Sequence, residues 1–269
     1  MKIYQVDAFT DEKFKGNPAA VCVLPNDFEA DGVEAESWMK NLAAEMNLSE
    51  TAFVKEAQNG AFSLRWFTPT TEVDLCGHAT LATSHILWTE GLLDKNTPAL
   101  FDTRSGRLVV SRIETDNGIM MEMNFPADEV TPCKEPVGLQ MALGCNIISS
   151  YNAGIDMIVE VADETTVAEL NPVIQQIATI PVRCLIVTAK GDECDFVSRV
   201  FGPAVGVDED PVTGSTHCSL TPFWAERLGK SKMIAKQLSK RGGVLGVELV
   251  GDRVNISGQS VTIFSGELS

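Results

Sequence analysis

Two features of membrane and secreted proteins are missing from this sequence. It has no apolar run of the roughly 20 residues that span a bilayer, and the N-terminal segment meets a charge at Asp7 before forming the apolar core of a signal peptide. The seven cysteines are odd in number and scattered, without a C-x-x-C pair, which is typical of reduced thiols. We therefore expect a cytoplasmic protein with no membrane partner.

Basic residues are also few. Lysine and arginine total 21 against 37 aspartates and glutamates, for a formal net charge of −16. Such a surface repels phosphate backbones and anionic lipid, so nucleic acid is not an expected partner. The net charge does not exclude a small anionic ligand, because a local pocket can carry the opposite sign.

Common nucleotide, hydrolase and metal motifs are absent too. No Walker A loop, Rossmann fingerprint or G-x-S-x-G occurs, which argues against nucleotides, NAD and serine hydrolysis. Cys76-Gly77-His78 and His217-Cys218 lack the spacing of common zinc sites. The sequence therefore predicts no metal ion.

What the chain does contain is a mixture of short strands and a few helices. Apolar runs of strand length occur in both halves, for example 51–55 and 196–201, and helical spacing occurs at 34–47 and near 165–179. The closely connected strands favour an α+β fold over a doubly wound parallel sheet.

An internal repeat is the most informative feature. Arg65-Trp66-Phe67-Thr68-Pro69 recurs 134 positions later as Arg199-Val200-Phe201-Gly202-Pro203, and each copy leads through acidic residues and a glycine into an apolar helix. Each part alone is a common coincidence, but the shared order favours duplication. It predicts an N-terminal lobe of residues 1–118, which can recruit a C-terminal strand near 259–267, and a C-terminal lobe of residues 119–269.

The two glycines of the repeat predict an anion site. Gly77 and Gly214 precede apolar helices, and the uncovered N–H groups at a helix N-terminus bind anions. Two such ends in matched positions, meeting in a cleft between the lobes, would hold a small carboxylate substrate.

The chain resembles the PhzF family of phenazine-biosynthesis-like isomerases, which share their fold with diaminopimelate epimerases and proline racemases. The matching segments lie along most of the chain: 6–10 (VDAFT), 16–21 (GNPAAV), 48–54 (LSETAFV), 67–69 (FTP), 72–80 (EVDLCGHAT) and 210–215 (DPVTGS). The resemblance implies two duplicated lobes, each a curved, mostly antiparallel sheet wrapped around a central helix. It also implies a homodimer and catalysis without a metal or organic cofactor.

The resemblance also implies roles for individual residues. Glu50 would shuttle a proton, His78, Asp210 and Ser215 would form the polar pocket, and Gly77 and Gly214 would donate backbone N–H groups. Asn17 would contact the substrate. Asp208 and Glu209 compete with Asp210 for its role, and His85 and His217 are interpreted as structural or supporting residues.

Two protonation states follow as expectations for this site. Desolvation should raise the pKa of Glu50 towards neutrality, as suits a group that both takes and returns a proton. The helix N-terminus should keep His78 neutral, because the positive end of the helix dipole disfavours an imidazolium.

Three functions remain open at this point. The first is an isomerase that moves a proton on a small carboxylate by acid–base catalysis with Glu50. The second is an amino-acid racemase or epimerase that uses Glu50 or Asp210 in place of thiols. The related enzymes use one thiol from each lobe, but here Cys76 is matched by Thr213, so a two-thiol mechanism is disfavoured. The third is a small-molecule binding protein without turnover.

Overall fold

The computed structural model describes residues 1–57, 60–115 and 118–269. The strands are β1 (Lys2–Ala8), β2 (Asn17–Val23), β3 (Glu50–Glu56), β4 (Phe62–Phe67), β5 (Glu72–Val73), β6 (Ala99–Thr103), β7 (Gly106–Thr115), β8 (Gly118–Pro126), β9 (Val130–Pro132), β10 (Ser149–Ala153), β11 (Asp156–Glu160), β12 (Leu185–Lys190), β13 (Phe196–Gly202), β14 (Val207–Asp210), β15 (Lys232–Gln237), β16 (Gly243–Val250), β17 (Arg253–Gly258) and β18 (Ser260–Glu267).

The helices are fewer and mostly short. They are α1 (Val33–Met46), α2 (Gly77–Thr89), α3 (Leu139–Leu143), α4 (Glu164–Ala168), α5 (Ile174–Ile177) and α6 (His217–Leu228), with a 3₁₀ turn at Pro203–Val205. The fold is therefore α+β, as the sequence predicted. No helix in the described ranges is both long and apolar enough to cross a membrane.

The chain divides into two units. The first comprises Met1–Asn124 together with Ser257–Ser269, and the second Phe125–Ile256. In the first, β1 lies antiparallel to both β2 and β18, so the last strand of the chain belongs to the N-terminal unit. The first unit thus extends a few residues past the predicted boundary at 118.

The second unit repeats the topology of the first. Strand β2 is parallel to β3, β3 antiparallel to β4, β4 parallel to β6, and β6 antiparallel to β7. The same sequence of directions links β11, β12, β13, β15 and β16. This agreement confirms the duplication predicted from the R-x-F-x-P repeat.

The repeated arginines make the same contacts in both units. Arg65 donates from Nε and Nη2 to the two carboxylate oxygens of Glu72 at 2.8 and 2.7 Å, and Arg199 does so to Glu209 at 2.7 and 2.9 Å. Each guanidinium lies 5.2 Å from the ring centre of the phenylalanine two residues later. Each also donates from Nη1 to a backbone carbonyl. The motif is therefore a bidentate clamp between a strand and the segment after it.

Helix α2 is the buried centre of the first unit, in contact with β1, β2, β3 and β18. It has no aspartate, glutamate, lysine or arginine, and from His78 to Trp88 only His85 is more than slightly exposed. A helix that is apolar on every face is typical of such burial. The hydroxyls of Thr80, Thr83 and Ser84 each donate a hydrogen bond to the carbonyl four residues earlier, so they add no unpaired polar group.

Helix α6 is the counterpart in the second unit, with one difference from the prediction. Gly77 begins α2, but Gly214 lies in a turn and α6 begins three residues later at His217. The turn is closed by bonds from His217 N to Gly214 O and from Cys218 N to Ser215 O. Gly214 therefore precedes the helix by one turn.

A proline inside α6 is tolerated because its missing N–H is replaced. Pro222 cannot donate to the carbonyl of Cys218, and that carbonyl instead accepts the N–H of Asp128 at 3.0 Å. Ser219 reinforces the junction by donating to the Asp128 carboxylate at 2.7 Å. Pro222 thus leaves the carbonyl of Cys218 free to accept a hydrogen bond that joins the start of the second unit to its central helix.

Candidate active site

Glu50 and His78 meet in the interior of the first unit. Glu50 is the first residue of β3 and His78 the second of α2, and Glu50 Oε2 lies 3.1 Å from His78 Nε2. Their side chains are 19% and 8% exposed. The N-terminal end of β3 lies next to the N-terminal end of α2, so the fold places a carboxylate beside an imidazole in the first turn of the helix.

These two atoms have no other partner. Neither Glu50 Oε2 nor His78 Nε2 makes a well-aligned hydrogen bond to any described residue, although both are buried. Buried polar atoms are normally satisfied, and exceptions concentrate at functional sites. The two groups therefore interact through charge and proximity.

Cys76 completes a cluster of three. It is the N-cap residue of α2, and its Sγ lies 3.5 Å from His78 Nδ1. One ligand atom from each of the three residues lies within 4.8 Å of the others, a set that can hold a soft divalent ion. Sequence spacing alone could not reveal this set, because Glu50 is distant in sequence. The predicted absence of a metal stays a prediction.

The protonation states are the reverse of those expected. Burial raises the pKa of Glu50, but the charge of the adjacent His78 outweighs it, so the pKa lies below its ordinary 4.5. Burial lowers the pKa of His78, yet Cys76 and Glu50 together raise it well above 6.5. At both groups the neighbouring side chains outweigh desolvation. The resting pair is a carboxylate and an imidazolium.

This pairing predicts a pH window for stability. A lowered glutamate pKa stabilises the fold above the ordinary value of 4.5, and a raised histidine pKa stabilises it below the ordinary value of 6.5. We expect the free energy of unfolding of wild type to exceed that of His78→Gln most between about pH 4.5 and 6.5. The difference should shrink as pH rises through the raised pKa of His78 or falls through the lowered pKa of Glu50.

Urea denaturation across this pH range measures the difference, with His85→Gln as the control. Burial lowers the pKa of His85, so its contribution changes only in acid and stays flat above about pH 6.5. A wild-type advantage over His78→Gln that does not decline on the alkaline side would contradict the assigned imidazolium.

Asn17 lies beside the start of β3. Strands β2 and β3 are parallel with Ala19 opposite Glu50, and the hydroxyl of Ser49 donates to Asn17 Oδ1 at 3.3 Å. Asn17 is fully buried. The structure therefore brings Asn17 to the same end of the sheet as Glu50, with Ser49 between them.

In the second unit, the three consecutive acids have separate environments. Asp208 is exposed, Glu209 is committed to Arg199, and Asp210 accepts a hydrogen bond from Thr213 Oγ1 at 2.5 Å. Gln237 binds the same turn, accepting from Thr213 N and donating to Asp210 O. Of the three acids, only Asp210 is held in the turn that leads to Gly214 and Ser215.

Ser215 lies next to an arginine that the sequence analysis did not single out. Arg183 Nη2 lies 3.3 Å from Ser215 Oγ and also binds Asp156. The repeat could have identified Arg183, because Arg183 lies 134 positions after Ser49, the same offset that separates Arg65 from Arg199.

The predicted site residues thus form two groups. Asn17, Glu50, Gly77 and His78 lie in the first unit, and Asp210, Gly214 and Ser215 in the second. The use of both groups by one substrate stays a prediction.

The other two histidines have structural contacts. His85 Nε2 lies 2.9 Å from the hydroxyl of Thr262, and His217 Nδ1 lies 2.9 Å from the carbonyl of Thr213. Burial lowers the pKa of His217 to about 4, so the ring is neutral and Nδ1 donates to that carbonyl. Neither contact involves Glu50.

Comparison with known proteins identifies close relatives over the full chain. The family model for phenazine biosynthesis-like proteins (PhzC-PhzF) matches residues 6–266. An uncharacterized isomerase of Halalkalibacterium halodurans is 48% identical over 99% of this chain and 97% of its own. A PhzF-family crystal structure from Enterococcus faecalis has a TM-score of 0.92 at 39% identity, covering 100% of this chain and 98% of that one.

A more distant structure shares only the fold. A probable proline racemase from Agrobacterium radiobacter has a TM-score of 0.64 at 12% identity, covering 100% of this chain and 92% of that one. The fold is therefore the one shared with the racemases and epimerases, as expected from the sequence.

Proposed function

This chain belongs to the phenazine biosynthesis-like (PhzC-PhzF) family and is an isomerase, and we propose that it moves a proton between two carbons of a small carboxylate substrate with Glu50 as the shuttle. The observation that carries the proposal is the buried Glu50–His78 pair, 3.1 Å apart and without another hydrogen-bond partner among the described residues.

The proposed reaction balances within one substrate. The Glu50 carboxylate removes a proton from one carbon, and the electron pair left behind is delocalised into the conjugated part of the substrate. The neutral Glu50 carboxyl then returns the same proton to a second carbon. His78 stays protonated and stabilises the carboxylate form of Glu50 before and after the cycle.

The lowered pKa of Glu50 affects the two half-steps differently. A weaker base removes a proton more slowly, and a stronger acid returns it more quickly. The substrate must therefore carry its own electron-withdrawing group next to the carbon that loses the proton. A carboxylate conjugated with that carbon fits this requirement.

The asymmetry of the two units supports one shuttle instead of two opposed bases. Thr51 pairs with Phe67 as Leu185 pairs with Phe201, so the counterpart of Glu50 in the second unit is Cys184. Burial raises the pKa of Cys184 to about 12, so it is a neutral thiol at physiological pH. The second unit offers no base at the position that Glu50 holds in the first.

The first test is a ligand search followed by proton exchange. A carboxylic acid at 100 times its dissociation constant adds about 2.7 kcal/mol of stability, which thermal unfolding detects. NMR in heavy water should then show deuterium entering the bound acid at two carbons. Exchange only at the α-carbon of an amino acid would favour the racemase, and stabilisation without exchange the binding protein.

Cys76→Ser distinguishes this shuttle from a thiol-based epimerase. Burial raises the pKa of Cys76 to about 11, and Thr213 occupies the matching position of the second unit. Serine keeps a polar atom beside His78 Nδ1. We expect proton exchange within about threefold of wild type, far from the 10²–10⁴-fold typical of an acid–base group. A loss of several orders of magnitude in the NMR exchange rate would revive the epimerase.

Assembly and location belong to the same proposal. Homodimer formation follows from the family resemblance, and sedimentation in solution tests it. A cytoplasmic location is supported by the seven cysteines, which all lie in the described ranges and are all free.

A further inference from the structure

The repeat relates the Glu50–His78 pair to a different pair in the second unit. By strand register, the position of Ser49 corresponds to Arg183 and that of Glu50 to Cys184. The residue after the glycine is His78 in the first unit and Ser215 in the second. In the first unit the residue after the glycine meets Glu50, with His78 Nε2 3.1 Å from the carboxylate. In the second unit it meets the residue one position before the counterpart of Glu50, with Arg183 Nη2 3.3 Å from Ser215 Oγ.

The chemistry of the two pairs is not the same. The first unit has a carboxylate and an imidazole, which can exchange a proton. The second has a guanidinium, which only donates hydrogen bonds, and a hydroxyl that accepts one from it and has its own O–H to donate. A guanidinium beside a hydroxyl, in the turn that precedes a helix, is suited to binding an anion.

Arg183 is fixed in place on one edge only. Its Nε donates to Asp156 Oδ1 at 2.9 Å and its Nη2 to Oδ2 at 2.5 Å, while the backbone N–H of Cys184 also donates to Oδ1. Asp156 itself is 5% exposed. The guanidinium plane is therefore preorganised before any ligand arrives.

The other edge of Arg183 remains free. Nη1 donates to no atom in the part of the chain that the structure describes, and the side chain is 33% exposed. Arg199 differs, because its Nη1 donates to the carbonyl of Leu170 at 2.7 Å and its side chain is only 11% exposed. Each guanidinium nitrogen of Arg199 thus donates to an acceptor within the protein, whereas Arg183 retains N–H donors for a ligand.

We propose that Arg183, oriented by Asp156 and adjacent to Ser215, binds the carboxylate group of the substrate and so determines the preference for acids over neutral analogues. The inference rests on the proposed function, in which the substrate is a small carboxylate. It adds a charged side chain to the backbone donors expected near Gly214.

The test compares acids with their neutral amides. The probes are benzoate, salicylate and anthranilate against benzamide, salicylamide and anthranilamide, measured by isothermal titration with wild type and with Arg183→Met. We expect Arg183→Met to bind the acids about 10- to 100-fold more weakly, the range for losing a charge-assisted hydrogen bond, and the amides unchanged. Arg183→Lys, which keeps the charge without the planar fork, should fall between them.

Two controls keep the result interpretable. Arg227→Met removes one positive charge from the same unit at a residue paired with Glu160 at 3.5 Å, and should leave acid binding unchanged. If Arg183→Met fails to fold because Asp156 is left unpaired, the double variant Asp156→Asn/Arg183→Met removes that charge and should show the same loss of acid binding.

The outcomes separate this inference from the proposed function. Acid binding by Arg183→Met within about threefold of wild type, well short of a lost charge-assisted hydrogen bond, would overturn the inference. Equal losses for acids and amides, or no acid binding by wild type, would also overturn it. If Glu50→Gln meanwhile binds acids but loses proton exchange, the proposed function stands without Arg183. If Glu50→Gln keeps exchange, the shuttle is wrong whatever Arg183 does.

Discussion

Glu50→Gln is expected to bind the ligand as wild type does, while its rates of turnover and of solvent-proton exchange fall by about 10²–10⁴-fold. Glutamine has the shape of glutamate and still accepts a hydrogen bond through its amide oxygen, but it cannot take a proton from carbon at physiological pH. The side chain is mostly buried next to His78, so no solvent group replaces it easily. Deuterium incorporation followed by NMR measures the loss.

Glu56→Gln is the matched control for this variant. Glu56 is the last residue of the strand that Glu50 begins, but it is exposed. The same chemical change there should leave exchange unaltered. If Glu50→Gln instead keeps activity within about threefold of wild type, Glu50 is structural. Asp210 then becomes the leading base, because it is the acid held in the turn before Gly214.

Gly16→Ala is expected to lower the free energy of unfolding by about 2–5 kcal/mol, a sum of two costs. Gly16 has φ of +63°, a left-handed conformation that disfavours a side chain by about 1–2 kcal/mol. An added Cβ would also lie 2.2 Å from the carbonyl oxygen of Ala8 and 2.7 Å from a methyl carbon of Thr10. Relieving that overlap costs a further ~1–3 kcal/mol.

Gly91→Ala isolates the first of these costs. Gly91 has a similar φ of +70°, but nothing lies within 4 Å of its added Cβ. It should therefore lose only about 1–2 kcal/mol. Urea denaturation of both variants gives the difference, which measures the crowding at Gly16. Equal losses would mean that the loop moves freely away from Ala8, and that the position of Asn17 is not enforced by this packing.

The sequence was sufficient for the duplication, and the reason is local. Arg65 and Arg199 each pair with a glutamate later in the chain and lie over the phenylalanine two residues on, so all the residues of this contact occur in one short segment. A sequence motif can therefore reveal it. Ser49 and Arg183 are separated by the same 134 positions, but a search for shared motifs does not detect this correspondence because the two residues differ. Gly214 was placed at the helix start by analogy with Gly77, although turn bonds delay that helix to His217.

The protonation of the site could not be derived from the sequence. Both expectations used one group at a time, with burial acting on Glu50 and the helix dipole acting on His78. The outcome depends on the neighbours that the fold brings to each group, His78 for Glu50 and both Cys76 and Glu50 for His78, and these outweigh desolvation. A sequence carries no information on a distance between residues 50 and 78 until the strand and helix are packed.

By itself, the sequence determined the α+β class, the repeated lobes and the residue types available for proton transfer, because strand periodicity, clamps and glycine turns are set by near neighbours in the chain. Only the tertiary structure decided how those residues act. It brought Glu50 together with His78 and Cys76 and paired Glu209 with Arg199. It also left Nη1 of Arg183 without an acceptor among the residues that the structure describes. Charge states and free donors depend on through-space distances and burial, which residues acquire only when distant segments pack together.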